Sequence, residues 1–544
     1  MPLASIEKFY GRKKIIDQLR KRVLDFKDGY RQNVALIGDR YIGKTFILHK
    51  FLSEISAPDS IQLYIDVEYK DVDYFCRKVA GTILYEFSKI RSLPLHQDLN
   101  LLVETTQSLI PKTTAVIGRI QKHLRHSKKV EAYKDAIALP QIFSAETGLF
   151  CILAVDEFQC LMELGIPEVF QELGKTIMTQ KQCLYIFASS AHEQARMILA
   201  EKLSLLFGNF EIIEVSAFGL KTCSDYVTKH LQEVRIGDDL KSFLVDFTGG
   251  HPLYLRLMCE KLLSFATLHH QKEIFVPLLS QAVEDILFDS WGVLSRHFDL
   301  TTHHLCFGKG NLIYADILIF LSQEKQKIKT LAGRMGIKQG GLTPKLNRLQ
   351  EMGLVGKSSK SFYIRDRLFR YWLYFVYQRR RETIETDPDY QRQQFREEFA
   401  RALDDFRIQE QKDTPSRIID LLNCFDNESF QLDGRKYKLP VFENIAAEDI
   451  SLLPEAGFDF IRASTSEGEW FVLLKKDEIK EQDLASILSE IKQRYAKPQR
   501  CILITLQDLG EEVRVRALQE HMWIWNEREL RTLVNMYNKP FIVA

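Results

Sequence analysis

Through the first 215 residues, short apolar runs alternate with stretches of helical periodicity. The runs are Val34–Ile37, Ile61–Val67, Phe150–Val155, Leu184–Ala188 and Glu211–Val215, four to seven residues each, which is strand length rather than helix length. Strands this apolar need cover on both faces, so the alternation predicts an α/β fold: a parallel sheet flanked by helices. Between Leu93 and Glu146 the period is helical and Lys and His are frequent, which predicts a helical insertion before the third strand. More helices follow from Lys221 to Leu287. From Tyr314 to Tyr377 the pattern changes to three short helices and a hairpin. The charge-dense stretch from Arg379 to Gln411, with Thr386-Asp387-Pro388-Asp389 inside it, suits a linker and an exposed helix. Strand runs return at Phe458–Ala463, Trp470–Lys475 and Cys501–Thr505. The expected division is therefore 1–218, sheet core; 219–300, helical lid; 301–378, helices and hairpin; 379–414, helical linker; 415–544, a small α/β domain. No repeat at solenoid period and no low-complexity tract interrupts it.

Composition narrows the class. A chain of 544 residues, 45% hydrophobic and 27% charged, is a globular protein too long for one core. Lys and Arg number 74 against 73 Asp and Glu, so no global field draws it to nucleic acid or an anionic membrane; a nucleic-acid contact would have to be a local patch. The nine cysteines are scattered, without a C-x-x-C pair, and read as buried thiols of a reducing compartment. With no signal pattern at the N-terminus and no run of about 18 apolar residues, the expected location is the cytoplasm, off the membrane.

The candidate chemistry begins at Gly38-Asp39-Arg40-Tyr41-Ile42-Gly43-Lys44-Thr45-Phe46, which follows the first strand and contains G-x-x-x-x-G-K-[ST]. Its glycines let backbone N–H groups face phosphate oxygens at the positive end of the next helix. Lys44 is placed to reach the β and γ phosphates and Thr45 to ligate Mg²⁺. The third strand run ends in Asp156-Glu157. There Asp156 would enter the Mg²⁺ shell, and Glu157 would activate or orient the water attacking the γ-phosphate. The fourth run ends in Ser189-Ser190; a polar residue at that place senses the γ-phosphate in ATPases of this kind, and Ser190 is the candidate, with Ser189 beside it. Two serines also make an ordinary turn. A guanine pocket would carry N-K-x-D, which is absent, so the expected nucleotide is ATP/ADP.

With these motifs in place, the first half resembles the archaeal-type ATPases of the AAA+/STAND P-loop group. Phe9-Tyr10-Gly11-Arg12 is similar to their F-x-G-R motif, Asp156-Glu157-Phe158-Gln159 to D-E-h-Q, and Thr248-Gly249-Gly250-His251-Pro252 to the lid motif T-G-G-x-P. The resemblance implies that Phe9, Gly11, Arg12 and Pro252 join the nucleotide site and that the lid reports nucleotide state. It also implies an Arg after a Leu-Tyr-Gly pattern; here Leu206-Phe207-Gly208 is followed by Asn209. Without that cation, hydrolysis is expected to be slow, with Arg196 and Arg256 as the other arginines in view. Ile15 also departs from the acidic residue usual in the first helix.

Two modules remain. The three helices and hairpin read as a winged helix, the third helix starting at Thr343-Pro344. Lys338, Lys345 and Arg348, with Lys357 and Lys360 in the wing, are its candidate DNA contacts; a solvated basic face is the alternative. The aromatic stripe from Tyr363 to Phe375 reads as core. The last domain resembles a restriction-endonuclease core, with Asp459 and Lys475 in the pattern and Leu473 in the acidic slot between them. An apolar side chain cannot hold Mg²⁺, so a degenerate binding or docking version is expected rather than a nuclease. The leading expectation is a slow ATP-dependent switch of STAND type. The alternatives are a DNA-binding ATPase similar to replication initiators and loaders, and an ATP-gated nuclease. DNA, a protein partner for the last domain and self-association are the expected contacts.

Overall fold

The computed structural model describes residues 9–55, 59–67, 71–203, 210–306, 311–358, 361–382, 388–427, 429–432, 435–448, 457–495, 498–507, 509–537 and 539–540. The chain forms two compact units, residues 1–217 with 351–353, and residues 218–350 with 354–544.

The first unit is built on strands β1 (Asn33–Ile37), β2 (Ser60–Asp66), β3 (Phe150–Asp156), β4 (Cys183–Ser189) and β5 (Phe210–Glu214). They form one sheet in the order β2-β3-β4-β1-β5, and every pairing is parallel. Alternate side chains of β1 enter opposite cores, as a pleated strand requires. Val34 and Leu36 join Ile16, Leu19, Ile47 and Phe51 of helices α1 (Lys13–Lys27) and α2 (Lys44–Glu54). Ala35 and Ile37 join the opposite core with α3 (Val72–Ile90) and the insertion. The insertion is three helices, α4 (Leu99–Thr106), α5 (Pro111–Arg125) and α6 (Lys129–Thr147), followed after β3 by α7 (Val169–Thr179) and after β4 by α8 (His192–Met197).

The second unit begins with four helices, α9 (Leu220–His230), α10 (Asp238–Thr248), α11 (Pro252–Leu268) and α12 (Val276–Phe288), and two short strands, β6 (Arg235–Ile236) and β7 (Glu273–Ile274). Helix α13 (Val293–Cys306) leads to α14 (Leu312–Gln323), α15 (Ile328–Met335) and α16 (Gln339–Glu351). Strands β8 (Gln326–Lys327), β9 (Val355–Ser358) and β10 (Ser361–Ile364) form a small antiparallel sheet. The start expected for the third helix of this module is corrected: α16 begins at Gln339, and Pro344 lies inside it. Leu342 is fully buried with Leu346 and Leu349, so burial at i, i+4 and i+7 sets the helix start four residues before the Thr-Pro signal.

Helices α17 (Arg367–Trp372) and α18 (Gln378–Glu382) follow, then the long α19 (Pro388–Glu410). The aromatic stripe is core: Phe369 and Trp372 are buried, and the Trp372 indole donates to Ser295 Oγ at 3.2 Å. After α20 (Thr414–Leu422) come the hairpin β11 (Ser429–Leu432) and β12 (Arg435–Lys438) and a second five-stranded sheet. That sheet runs β13 (Asn444–Glu448), β14 (Asp459–Thr465), β15 (Gly468–Lys475), β16 (Arg500–Thr505) and β17 (Trp523–Trp525) in sequence order. Its first two pairings are antiparallel and its last two parallel, with helix α21 (Glu481–Arg494) crossing from β15 to β16. Helices α22 (Glu511–Gln519) and α23 (Glu527–Met536) complete it. The nine thiols are free. Among the described residues no helix is long and apolar enough to cross a membrane.

Candidate nucleotide site

The chain leaves β1 at Ile37, turns through Gly38 to Gly43, and enters α2 at Lys44. This turn admits no ordinary side chain at its start: a Cβ on Gly38 would lie 2.3 Å from the Val215 carbonyl oxygen. It ends on Gly43 at φ 103, a left-handed conformation that favours glycine. Ile42 is buried under the loop and Phe46 is half-buried, whereas Asp39, Arg40 and Tyr41 are exposed. Lys44 is 4% exposed and its ammonium donates to the carbonyls of Gly38 at 2.8 Å and Asp39 at 2.9 Å. Burial pushes the Lys44 pKa down, against the nearby charges of Glu157, Asp156 and Asp39.

Strand β3 brings the acidic pair to this loop. Thr45 Oγ1 donates to Asp156 Oδ2 at 2.6 Å. The Tyr64 hydroxyl, from the adjacent β2, donates to the same oxygen at 2.9 Å, and the amide of Glu157 donates to Oδ1 at 3.0 Å. Burial raises the Asp156 pKa; the Thr45 and Tyr64 hydrogen bonds oppose it. Glu157 sits at φ 50, a left-handed conformation unusual for a side chain of its size. Three donors meet on its Oε2: Gln159 Nε2 at 2.6 Å, Ser190 Oγ at 2.8 Å and the Ser190 amide at 3.1 Å. Of the two serines, Ser190 therefore reaches Glu157, while Ser189 is buried and its hydroxyl accepts from the amide of Ala191 at 3.1 Å. His192 at the start of α8 lies 3.1 Å from Asp39 Oδ1.

The arrangement gathers, within one loop and two strand ends, groups of the kind suited to a phosphate chain and a hard cation. These are a glycine turn running into a helix N-terminus, a buried ammonium, and a hydroxyl paired with a carboxylate. An all-oxygen set of this kind fits Mg²⁺. Sequence reasoning missed Tyr64, the Gln159 bond to Glu157, and His192. Tyr64 left one signal, a hydroxyl-bearing side chain two residues before Asp66, which stands opposite Asp156 in register.

The other expected residues are distributed as follows. Phe9 packs against the α1–α2 core. Gly11 and Arg12 follow it in left-handed conformations, and the Arg12 guanidinium donates to the carbonyls of Ile42 at 3.3 Å and Ser216 at 2.5 Å. Arg196 pairs with Glu214. Asn209 and Lys360 lie outside the described residues. Pro252 opens α11 in the second unit, as Arg256 belongs to that helix. Lys338, Arg348 and Lys357 are exposed, while Lys345 is half-buried; Lys345 and Arg348 both lie over the Tyr314 ring. In the last domain Asp459 and Lys475 are not paired with each other. The Lys475 ammonium donates to Asp483 Oδ2 at 2.7 Å, and Leu473 is fully buried among Phe460, Phe471 and Ile487.

No protein-family model matches the sequence, and no curated protein matches it. Among solved structures, it is similar to a Walker-type ATPase of Pyrococcus abyssi at 16% identity and a TM-score of 0.44, over 68% of this chain and 96% of that one. The Aeropyrum pernix ORC2 protein, in its ADPNP-ADP complexes, matches at 12% identity and a TM-score of 0.43, over 68% and 96%. The Aeropyrum pernix ORC1 protein in complex with DNA matches at 11% identity and a TM-score of 0.39, over 69% and 94%.

Proposed function

We propose that this chain binds ATP with Mg²⁺ at the Gly38–Thr45 loop, hydrolyses it slowly, and acts as a nucleotide-dependent switch for the modules that follow. The observation that carries the reading is the 2.6 Å bond between Thr45 Oγ1 and Asp156 Oδ2, which joins two motifs 111 residues apart. Loop amides and the α2 N-terminus hold the phosphates, Lys44 neutralises the β and γ oxygens, and Thr45 and Asp156 hold the cation. Mg²⁺, when bound, offsets the charge that gathers on the phosphate oxygens. Glu157 orients the attacking water, with Ser190 and Gln159 fixing its carboxylate so that Oε1 remains to do so. Slow turnover is supported by the arginines: Arg12 is committed to backbone carbonyls and Arg196 to Glu214, and a missing charge-stabilising arginine costs roughly 10³ to 10⁵ in rate.

Calorimetry with ATP and Mg²⁺ tests it. Lys44→Ala should lose binding while its unfolding transition stays in place, and Glu157→Gln should bind as the parent does yet turn over about 10²-fold or more slowly. Undiminished affinity in Lys44→Ala would overturn the reading.

The last domain, on this reading, binds or docks rather than cuts, because Lys475 is committed to Asp483 and the acidic slot is core. Plasmid DNA incubated with the protein, Mg²⁺ and ATP should remain supercoiled; nicking that Asp459→Ala abolishes would make ATP the gate of a nuclease instead. The second reading, a DNA-associated ATPase, draws on the exposed Lys338, Arg348 and Lys357 of the winged-helix module. Duplex binding that charge reversal at Lys345 and Arg348 weakens would favour it.

A further inference from the structure

Helices α5 and α6 form a hairpin whose tip is strongly basic. Residues 105–130 contain six Lys or Arg and no Asp or Glu, in a protein whose whole-chain balance is +1. Lys122, Arg125, His126, Lys128 and Lys129 are all exposed. Among the described residues no carboxylate pairs with Lys122, Arg125, Lys128 or Lys129.

The platform beneath these charges is fixed. The turn is closed by backbone bonds from Ser127 to Leu124 at 3.0 Å and from Lys128 to His123 at 2.9 Å, with Ser127 at φ 56. Arg119 of α5 grips both oxygens of Asp135 of α6 at 2.7 Å. Leu124 and Val130 pack inward against the sheet core.

Helix stability explains only half of the charge. Lys122 and Arg125 end α5, where cations meet the negative end of the helix. Lys128 and Lys129 are the N-cap and first residue of α6, where cations are disfavoured, and no side chain caps that helix. Only Glu131 in the first turn has the favourable sign. Two lysines held at the wrong end of a helix, without an internal partner, point to an external anion.

We infer that the α5–α6 tip is a contact surface for the phosphate backbone of duplex nucleic acid. A membrane surface would call for apolar or aromatic side chains beside the cations, and single strands for aromatic platforms. Residues 111–132 contain no Phe, Tyr or Trp, and the apolar side chains at the turn face inward. What remains is a set of long cationic side chains on a fixed helical hairpin, which suits sequence-independent phosphate contact. This surface does not depend on the ATP reading, and its residues are other than those of the winged-helix module.

The test measures binding of the full chain to a labelled duplex oligonucleotide, without nucleotide, across a salt series. The variant Arg125→Glu/Lys128→Glu/Lys129→Glu should bind about tenfold or more weakly, with the slope of log affinity against log salt reduced by about 0.9 for each phosphate that is no longer neutralised. Its melting temperature should change little, because the anions gained at the α6 N-terminus offset the cation lost from the end of α5. Neutralisation by Lys128→Gln/Lys129→Gln should give a smaller shift in the same direction. Four results would overturn the inference: no duplex binding by the parent at low salt; an unchanged slope in the triple variant; loss of all binding in Lys345→Glu/Arg348→Glu alone; or equal, equally variant-sensitive binding to phosphatidylserine vesicles.

Discussion

Asp156 is held on both oxygens by groups from three parts of the chain. Thr45 comes from the first turn of α2, Tyr64 from β2 and the Glu157 amide from the residue that follows. Tyr64 is itself braced, its ring 4.2 Å from that of His49 on α2. If Asp156 is the cation's ligand, Tyr64 is a positioning residue, since its hydroxyl acts through that carboxylate. Tyr64→Phe keeps the ring and deletes that donor. Groups that orient a metal ligand are typically worth 10- to 100-fold in metal affinity, so the Mg²⁺ concentration needed for half-maximal ATP binding should rise by about tenfold. Binding of ATP in EDTA should be unchanged. A Mg²⁺ titration that overlays the parent's would remove Tyr64 from the site. The loop and the acidic pair were legible in the sequence because each is a contiguous motif with a strand before it. Tyr64 was not, because its bond spans 92 residues and exists only once β2 and β3 are in register. The two bonds from Ser190 to Glu157, which span 33 residues, needed β3 beside β4 in the same way.

At the scale of elements, the insertion shows how a helix start is set from a distance. Helix α5 begins at Pro111 with no side-chain cap of its own. Glu146, near the end of α6, supplies the missing acceptor: its carboxylate takes the amides of Lys112 at 2.7 Å and Thr113 at 2.8 Å, and the Thr113 hydroxyl at 2.7 Å. A carboxylate at that end also meets the positive pole of the helix. Partial burial pushes the Glu146 pKa up, but the Thr113 hydroxyl and the two amides outweigh it and hold the pKa below its usual value. Glu146→Ala should cost about 1 kcal/mol in stability at neutral pH, as loss of a cap does. The sign of the pH dependence follows from the lowered pKa: the stabilisation is present above the ordinary glutamate pKa of about 4.3 and fades as pH falls through the folded-state value. The gap between parent and variant in urea unfolding should therefore close in acid; a gap constant with pH would refute the capping role. Helical periodicity revealed that the insertion existed, as apolar runs revealed the strands. It could not reveal Glu146 as the cap, nor that Leu342 would draw α16 back past Thr343-Pro344, because both are decided by packing between elements.

The second unit is fastened internally through one glycine turn. Between α10 and α11 the chain turns at Gly249 and Gly250, both at positive φ, and a Cβ on Gly250 would lie 2.6 Å from the Phe218 carbonyl oxygen. Arg531, on α23 of the last domain, donates to the carbonyls of Gly249 at 2.7 Å and Phe218 at 2.9 Å. Glu527, one turn earlier on α23, pairs with Arg531 at 3.0 Å and accepts the Leu220 amide at 2.9 Å, at the start of α9. The last domain thus holds the entrance of α9 and the exit of α10 with one ion pair. The turn was legible as a helix break with a family resemblance. Its partner, some 280 residues downstream, was not, because no local pattern distinguishes Arg531 from any arginine on a helix face. In Arg531→Ala the Gly249 and Phe218 carbonyls lose the donor they share and Glu527 loses its counter-charge, at a cost of about 1–3 kcal/mol. Because the bonds tie two parts of one unit, the loss should be regional: amide exchange should accelerate in α9 and around Gly249, while β1 to β5 exchange as in the parent. In a double-mutant cycle, Glu527→Ala should cost less in the Arg531→Ala background than in the parent, since the ion pair is already gone and only the acceptor of the Leu220 amide is left to lose. Fully additive losses, or unaltered exchange around Gly249, would show that the last domain does not brace this turn.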